Sequence, residues 1–109
     1  MVDDESAIRA LVARVLGRFG HEVVACADAA AALAAPGPID LLLVDLVLPD
    51  VNGCELAAKL RERWPRLPVI LMSGYLPRDD MQLPPPSSFL QKPMGPTDVI
   101  AAVNQLLRA

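Results

Sequence analysis

The chain has 109 residues and a formal net charge of -3, from 10 Lys plus Arg against 13 Asp plus Glu. That length holds one domain, and the acidic balance speaks against a nucleic-acid binder that relies on bulk positive charge. With 53% hydrophobic and 21% charged residues the chain is no disordered acidic tail, and with 4% aromatics its core must be aliphatic. No apolar run approaches the roughly 18 residues of a membrane span. Val-Asp-Asp-Glu follows Met1 at once, unlike a secretory signal. Cys26 and Cys54 lie far apart without a CxxC pair, as expected of two thiols in a reducing compartment. A cytoplasmic protein without a membrane segment is therefore expected. The 11 prolines, against a usual usage of roughly 5%, need a place in the fold.

The period of the apolar residues changes repeatedly along the chain. Ile8, Leu11, Val12, Val15, Leu16 and Phe19 form one face of a helix over residues 6–19, which Gly20 ends. Residues 22–26 read as a short strand. Asp28 caps an alanine-rich helix that runs to residue 34 and stops at Pro36-Gly37-Pro38. The aliphatic run over residues 39–44 predicts a strand buried on both faces, of the kind found in helix-covered parallel sheets. A loop with Pro49 leads to Gly53, which opens a helix to residue 64 with Leu56, Ala57 and Leu60 facing inward. Trp64 is expected to cover the end of that helix, and Lys59, Arg61, Arg63 and Arg66 to form a solvated face. A second buried strand covers residues 69–72 and ends in Ser73-Gly74. The stretch 77–86 is proline-rich, residues 88–91 form a short strand before Lys92-Pro93, and a last helix begins at residue 96 or 97.

Strands that alternate with helices predict an α/β fold, a doubly wound parallel sheet with helices on both faces. Right-handed crossovers bring the carboxyl ends of the strands to one edge, where such sheets bind their ligands. Asp3, Asp4, Asp45, Ser73 and Lys92 all fall at that edge. Taken singly, each is an ordinary cap, turn or surface residue. Together they form a site. Three clustered carboxylates repel one another unless a cation neutralises them, and oxygen ligands suit Mg²⁺. Asp45 then reads as a carboxylate nucleophile beside a metal, with the Ser73 hydroxyl and the Lys92 ammonium to hold phosphoryl oxygens.

At these residues the sequence resembles the receiver domains of response regulators. Asp3-Asp4-Glu5 opening a helix, Asp45-Leu-Val-Leu-Pro49 through Gly53, Met72-Ser73-Gly74-Tyr75 and Lys92-Pro93 follow the family's order along the whole chain. The Met-Ser-Gly-Tyr variant is most similar to receivers of hybrid sensor histidine kinases. The resemblance implies a flavodoxin-like sheet in the order 2-1-3-4-5, with Asp45 accepting a phosphoryl group from a histidine of a sensor kinase or phosphotransfer domain. It further implies Mg²⁺ bound most directly by Asp4, with Asp3 assisting through water, and by Asp45 and the Val47 backbone carbonyl. Ser73 and Lys92 would hold the phosphoryl oxygens, Phe89 would be the aromatic switch, and the Lys92–Pro93 peptide would be cis. Such a domain is no enzyme beyond its own aspartyl phosphorylation and dephosphorylation, and contacts no nucleic acid directly.

Two features depart from the family. Only Met1-Val2 precede Asp3, and two residues span roughly 7 Å, too little for a central strand. The expectation is an amino-terminally truncated receiver over residues 1–109, or a strand supplied by a second chain. Between residues 76 and 88, Pro77 and Pro84-Pro85-Pro86 leave about two helical turns at best where receivers hold a fourth helix. The triple proline should take polyproline II geometry. The face affected is one that receivers use to dimerise, so a homodimer in the usual manner is in doubt. Tyr75, two residues past Ser73, is a candidate shield of the phosphoryl group from water. The competing readings are a receiver-like interaction module that is not phosphorylated, and an aspartyl phosphatase. The phosphatase needs a second acid two residues after its nucleophile, where Val47 stands.

Overall fold

The computed structural model describes residues 1–35, 37–74 and 83–107. Its elements are α1 (Ser6–Arg18), α2 (Ala29–Ala34), β1 (Leu42–Asp45), α3 (Gly53–Arg63), β2 (Val69–Ser73), β3 (Ser87–Gln91) and α4 (Pro96–Leu107). The three strands are parallel in the order β1-β2-β3, with Leu43 opposite Ile70 and Leu71 opposite Phe89. Every residue of β1 and β2 is buried, as their unbroken aliphatic runs predict, whereas β3 at the edge is half-buried.

As expected of so short a segment, Met1-Val2 form no strand, yet Val2 stands at the place of the central one. It bridges Val44 on one side and Cys26 on the other, both in parallel. Its N–H donates to Leu43 O at 2.7 Å and its carbonyl accepts from Asp45 N–H at 2.9 Å. Asp3 N–H reaches Cys26 O, and Cys26 N–H reaches Met1 O. The lateral sequence Cys26, Val2, β1, β2, β3 is thus the 2-1-3-4-5 order, with the first two places held by single bridges. Residues 22–26, read as a strand from sequence, form no strand and pair through a single bridge at Cys26 and the Val24 carbonyl.

Helices cover both faces. Leu56, Leu60, Val69, Leu71 and Val44 pack under α2 and α3, while Val12, Leu16, Ile70, Met72, Val99 and Val103 pack under α1 and α4. Local chemistry sets the helix ends. Asp28 accepts from Ala31 N–H at 2.8 Å and Asn52 from Glu55 N–H at 2.9 Å. Gly20 takes φ +83° past the end of α1, a backbone region that strongly favours glycine. Trp64 closes α3, with the Arg63 guanidinium 5.5 Å over its ring.

Arg61 departs from the expected solvated basic face. Its guanidinium donates to the carbonyls of Leu67, Pro84 and Pro86 at 3.1, 2.7 and 2.9 Å. The planar fork collects the chain just before β2 and just before β3. The Pro85–Pro86 peptide is cis. The expected remnant of a fourth helix lies outside the described residues, as does Tyr75.

Candidate functional site

The carboxyl ends of the strands deliver the site. β1 ends on Asp45 and β2 on Ser73, and Lys92 follows β3 directly. Lys92 N–H donates to Ser73 O at 2.8 Å, which fixes the lysine backbone beside the serine. The Lys92–Pro93 peptide is cis. Gly53 lets α3 start close behind Asp45, since a Cβ there would collide with the Asp45 carbonyl oxygen. Asp45 and Ser73 are buried, and Asp3 is fully so.

Lys92 Nζ lies 2.8 Å from Asp3 Oδ2, 3.0 Å from Asp45 Oδ2 and 3.0 Å from Glu5 Oε1. Burial penalises the charged lysine, but the carboxylates of Asp3, Asp45 and Glu5 around it outweigh that and raise its pKa above the ordinary value. Burial likewise pushes the Asp3 carboxyl up, against the opposing pull of Lys92 and of the Glu5 N–H. Asp3 Oδ1 accepts from Glu5 N–H at 2.9 Å and Asp45 Oδ1 from Val47 N–H at 3.1 Å. Asp3 Oδ2 is different. It is in ion-pair range of Lys92, yet no hydrogen bond of good angle reaches it.

The structure brings together Asp3, Asp45 and Lys92, with Ser73 tied in through the backbone, but not Asp4, which is exposed. Glu5 stands in the cluster instead, and Asp3, Glu5 and Asp45 offer oxygens within 4.8 Å of one another. The chain bends at Asp4, and the Glu5 N–H folds back onto Asp3 Oδ1, which sets Glu5 beside Asp3 just ahead of α1. Val47 is exposed two residues past Asp45. Phe89 is half-buried in β3 and packs against the core under α2 and α3.

These donors fit a divalent cation. Three carboxylates converge on one point, one of them carries a buried oxygen without a good hydrogen bond, and all are hard oxygen ligands.

Comparison with known proteins agrees with this geometry. Residues 1–104 match the family model described as the response regulator receiver domain. The receiver domain of the hybrid histidine kinase CckA superposes with a TM-score of 0.84 at 34% identity, over 97% of this chain and 94% of that one. A receiver protein of Sinorhizobium medicae superposes with a TM-score of 0.88 at 27% identity, over 99% and 91%. Among curated relatives, the hydrogenase transcriptional regulatory protein HoxA of Cupriavidus necator is 32% identical over 114 residues, all of this chain and 24% of the relative. The transcriptional regulatory protein FixJ of Azorhizobium caulinodans is 34% identical over 113 residues, 98% of this chain and 53% of the relative. The chain thus spans about half or less of these curated relatives.

Proposed function

The chain belongs to the response regulator receiver domain family of two-component systems, and from that premise we propose that it accepts a phosphoryl group on Asp45 from a phosphohistidine. The observation that carries this reading is the buried Asp45 carboxylate with Oδ2 3.0 Å from the Lys92 ammonium, beside buried Asp3 at the strand ends. Asp45 attacks phosphorus, the P–N bond to the donor imidazole breaks, and an acyl phosphate forms on the aspartate. Lys92 leaves its carboxylate partners for a phosphoryl oxygen, and Ser73 supplies a second hydrogen bond from the neighbouring strand end. Asp3, Asp45 and Glu5 or Asp4, with the Val47 carbonyl, are the groups that would hold Mg²⁺. When bound, that ion takes charge off the phosphoryl oxygens and lets the carboxylates sit together.

The donor is a sensor histidine kinase or a phosphotransfer domain, and likeness to a hybrid-kinase receiver supports a place in a phosphorelay. Beyond its own phosphorylation and dephosphorylation the domain has no catalytic role, and it works in the cytoplasm. No described helix is long and apolar enough to cross a membrane. Phe89 turns inward when Asp45 is phosphorylated. Acetyl phosphate with Mg²⁺ is expected to label the protein, and Asp45→Asn to abolish the label. Equal labelling of the variant would overturn the assignment to Asp45, and a parent protein that takes no label would favour an unphosphorylated interaction module.

A further inference from the structure

The three carboxylates around Lys92 are not alike. The Asp3 side chain is 0% exposed and that of Asp45 9%, but that of Glu5 is 59% exposed. Nor does Lys92 serve them equally. Its ammonium donates to Glu5 Oε1 and to Asp45 Oδ2, each at 3.0 Å. Asp3 Oδ2 is nearer, at 2.8 Å, yet the angle there is poor and the buried oxygen is left without a good hydrogen bond. Glu5 is kept at this spot by its own N–H, which donates to Asp3 Oδ1 at 2.9 Å.

An ammonium has three N–H donors and no more. Three carboxylates surround this one, so no donor is left over for a phosphoryl oxygen. Lys92 can reach a phosphoryl group on Asp45 only by giving up a partner. Asp45 would carry the phosphoryl group itself. Parting from Asp3 would leave a fully buried carboxylate without its cation, which is costly. Parting from Glu5 leaves a carboxylate that water can solvate, and an exposed ion pair is worth little. Glu5 is therefore the partner that yields. Its contact with Lys92 belongs to the unmodified protein alone, and a contact made in one state only shifts the equilibrium toward that state.

We propose that Glu5 is a positioning residue that holds Lys92 in the unmodified arrangement, and so sets how much phosphoryl donor is needed to occupy Asp45. This role rests on the phosphoacceptor reading of Asp45, and it acts by contact with the ammonium. A carboxylate that only repelled the incoming anion would act by charge, whatever its reach. A carboxylate that held the metal ion would favour occupancy of Asp45, which is the opposite sign.

The test titrates the full chain with beryllium fluoride, a phosphoryl mimic, at saturating Mg²⁺ and reads bound fluoride by NMR. Glu5→Ala should lower the half-saturating concentration about threefold, as loss of one exposed ion pair implies. Glu5→Asp should lower it as much, because that carboxylate keeps the charge but is one methylene too short to reach Lys92. Without any ligand, the Lys92 Nζ resonance should move in both variants. An unchanged half-saturation in Glu5→Ala would overturn the proposal. So would parent-like behaviour of Glu5→Asp, since charge alone would then suffice. A raised half-saturation with weaker Mg²⁺ binding would overturn it too, and make Glu5 an ion ligand. A parent that binds no beryllium fluoride would overturn the phosphoacceptor reading along with it, whereas a parent that binds and variants that do not differ overturn this role alone.

Discussion

Lys92 and Arg61 sit at opposite ends of the same sheet and answer burial in opposite ways. Lys92, at the carboxyl end, is surrounded by Asp3, Glu5 and Asp45, which raise its pKa despite its burial. Among the described residues, Arg61 at the amino end donates to the neutral carbonyls of Leu67, Pro84 and Pro86, and burial lowers its pKa. Among carboxylates, a cation's partners can be exchanged for other anions. Among backbone carbonyls its bonds are part of the chain path itself. The first arrangement is suited to switching and the second to fixing the loops that feed β2 and β3.

Three experiments sharpen that contrast. The largest effect is expected from Lys92→Met, which leaves three carboxylates, one of them fully buried, without their cation. Removing one partner of a buried charged set costs roughly 3 kcal/mol, read as a lower midpoint of urea unfolding. Added Mg²⁺ should recover part of that loss and should do little for Arg61→Met. An unchanged midpoint would mean that the carboxylates are already neutral or hydrated. Arg61→Met should cost about 2 kcal/mol, since hydrogen bonds from a charged donor are lost, and amide exchange in β3 should accelerate. Arg61→Lys should restore only a part, because one ammonium cannot span three carbonyls. Full restoration would show that charge rather than the fork matters there.

The smallest effect concerns Asp50, which accepts from Ala29 N–H at 3.2 Å and from Ala30 N–H at 3.1 Å. Against desolvation, these bonds and those from the Asp50 and Val51 N–H groups hold its carboxyl below the ordinary 3.8. A folded pKa below the unfolded one adds stability above pH 3.8 and loses it as pH falls through the folded value. The melting temperature of Asp50→Asn should therefore lie below that of the parent at pH 7 and draw level with it in acid. A gap independent of pH would exclude this carboxylate as its source.

Much of this was legible in the sequence. The aliphatic runs of β1 and β2 announced strands buried on both faces, because only such strands dispense with polar alternation. Asp28 as a cap, and the inward row Leu56, Ala57 and Leu60, followed from spacing alone. Asp45, Ser73 and Lys92 could be placed at one edge because parallel strands carry their ends there together. The nearness of Glu5 to Asp3 and Asp45 was harder to read, since it depends on a bend at Asp4 that no apolar spacing marks. Arg61 was hidden because its partners are carbonyls, which every residue has and no sequence distinguishes.

The parallel sheet, its two helical layers and the charged edge follow from local periodicity and chain direction, both of which the order of amino acids carries. That Val2 pairs at the centre, between Cys26 and Val44, is a property of the fold, because its backbone groups meet partners far away in sequence. Lateral hydrogen bonding depends on which segments meet, and apolar spacing carries no record of that.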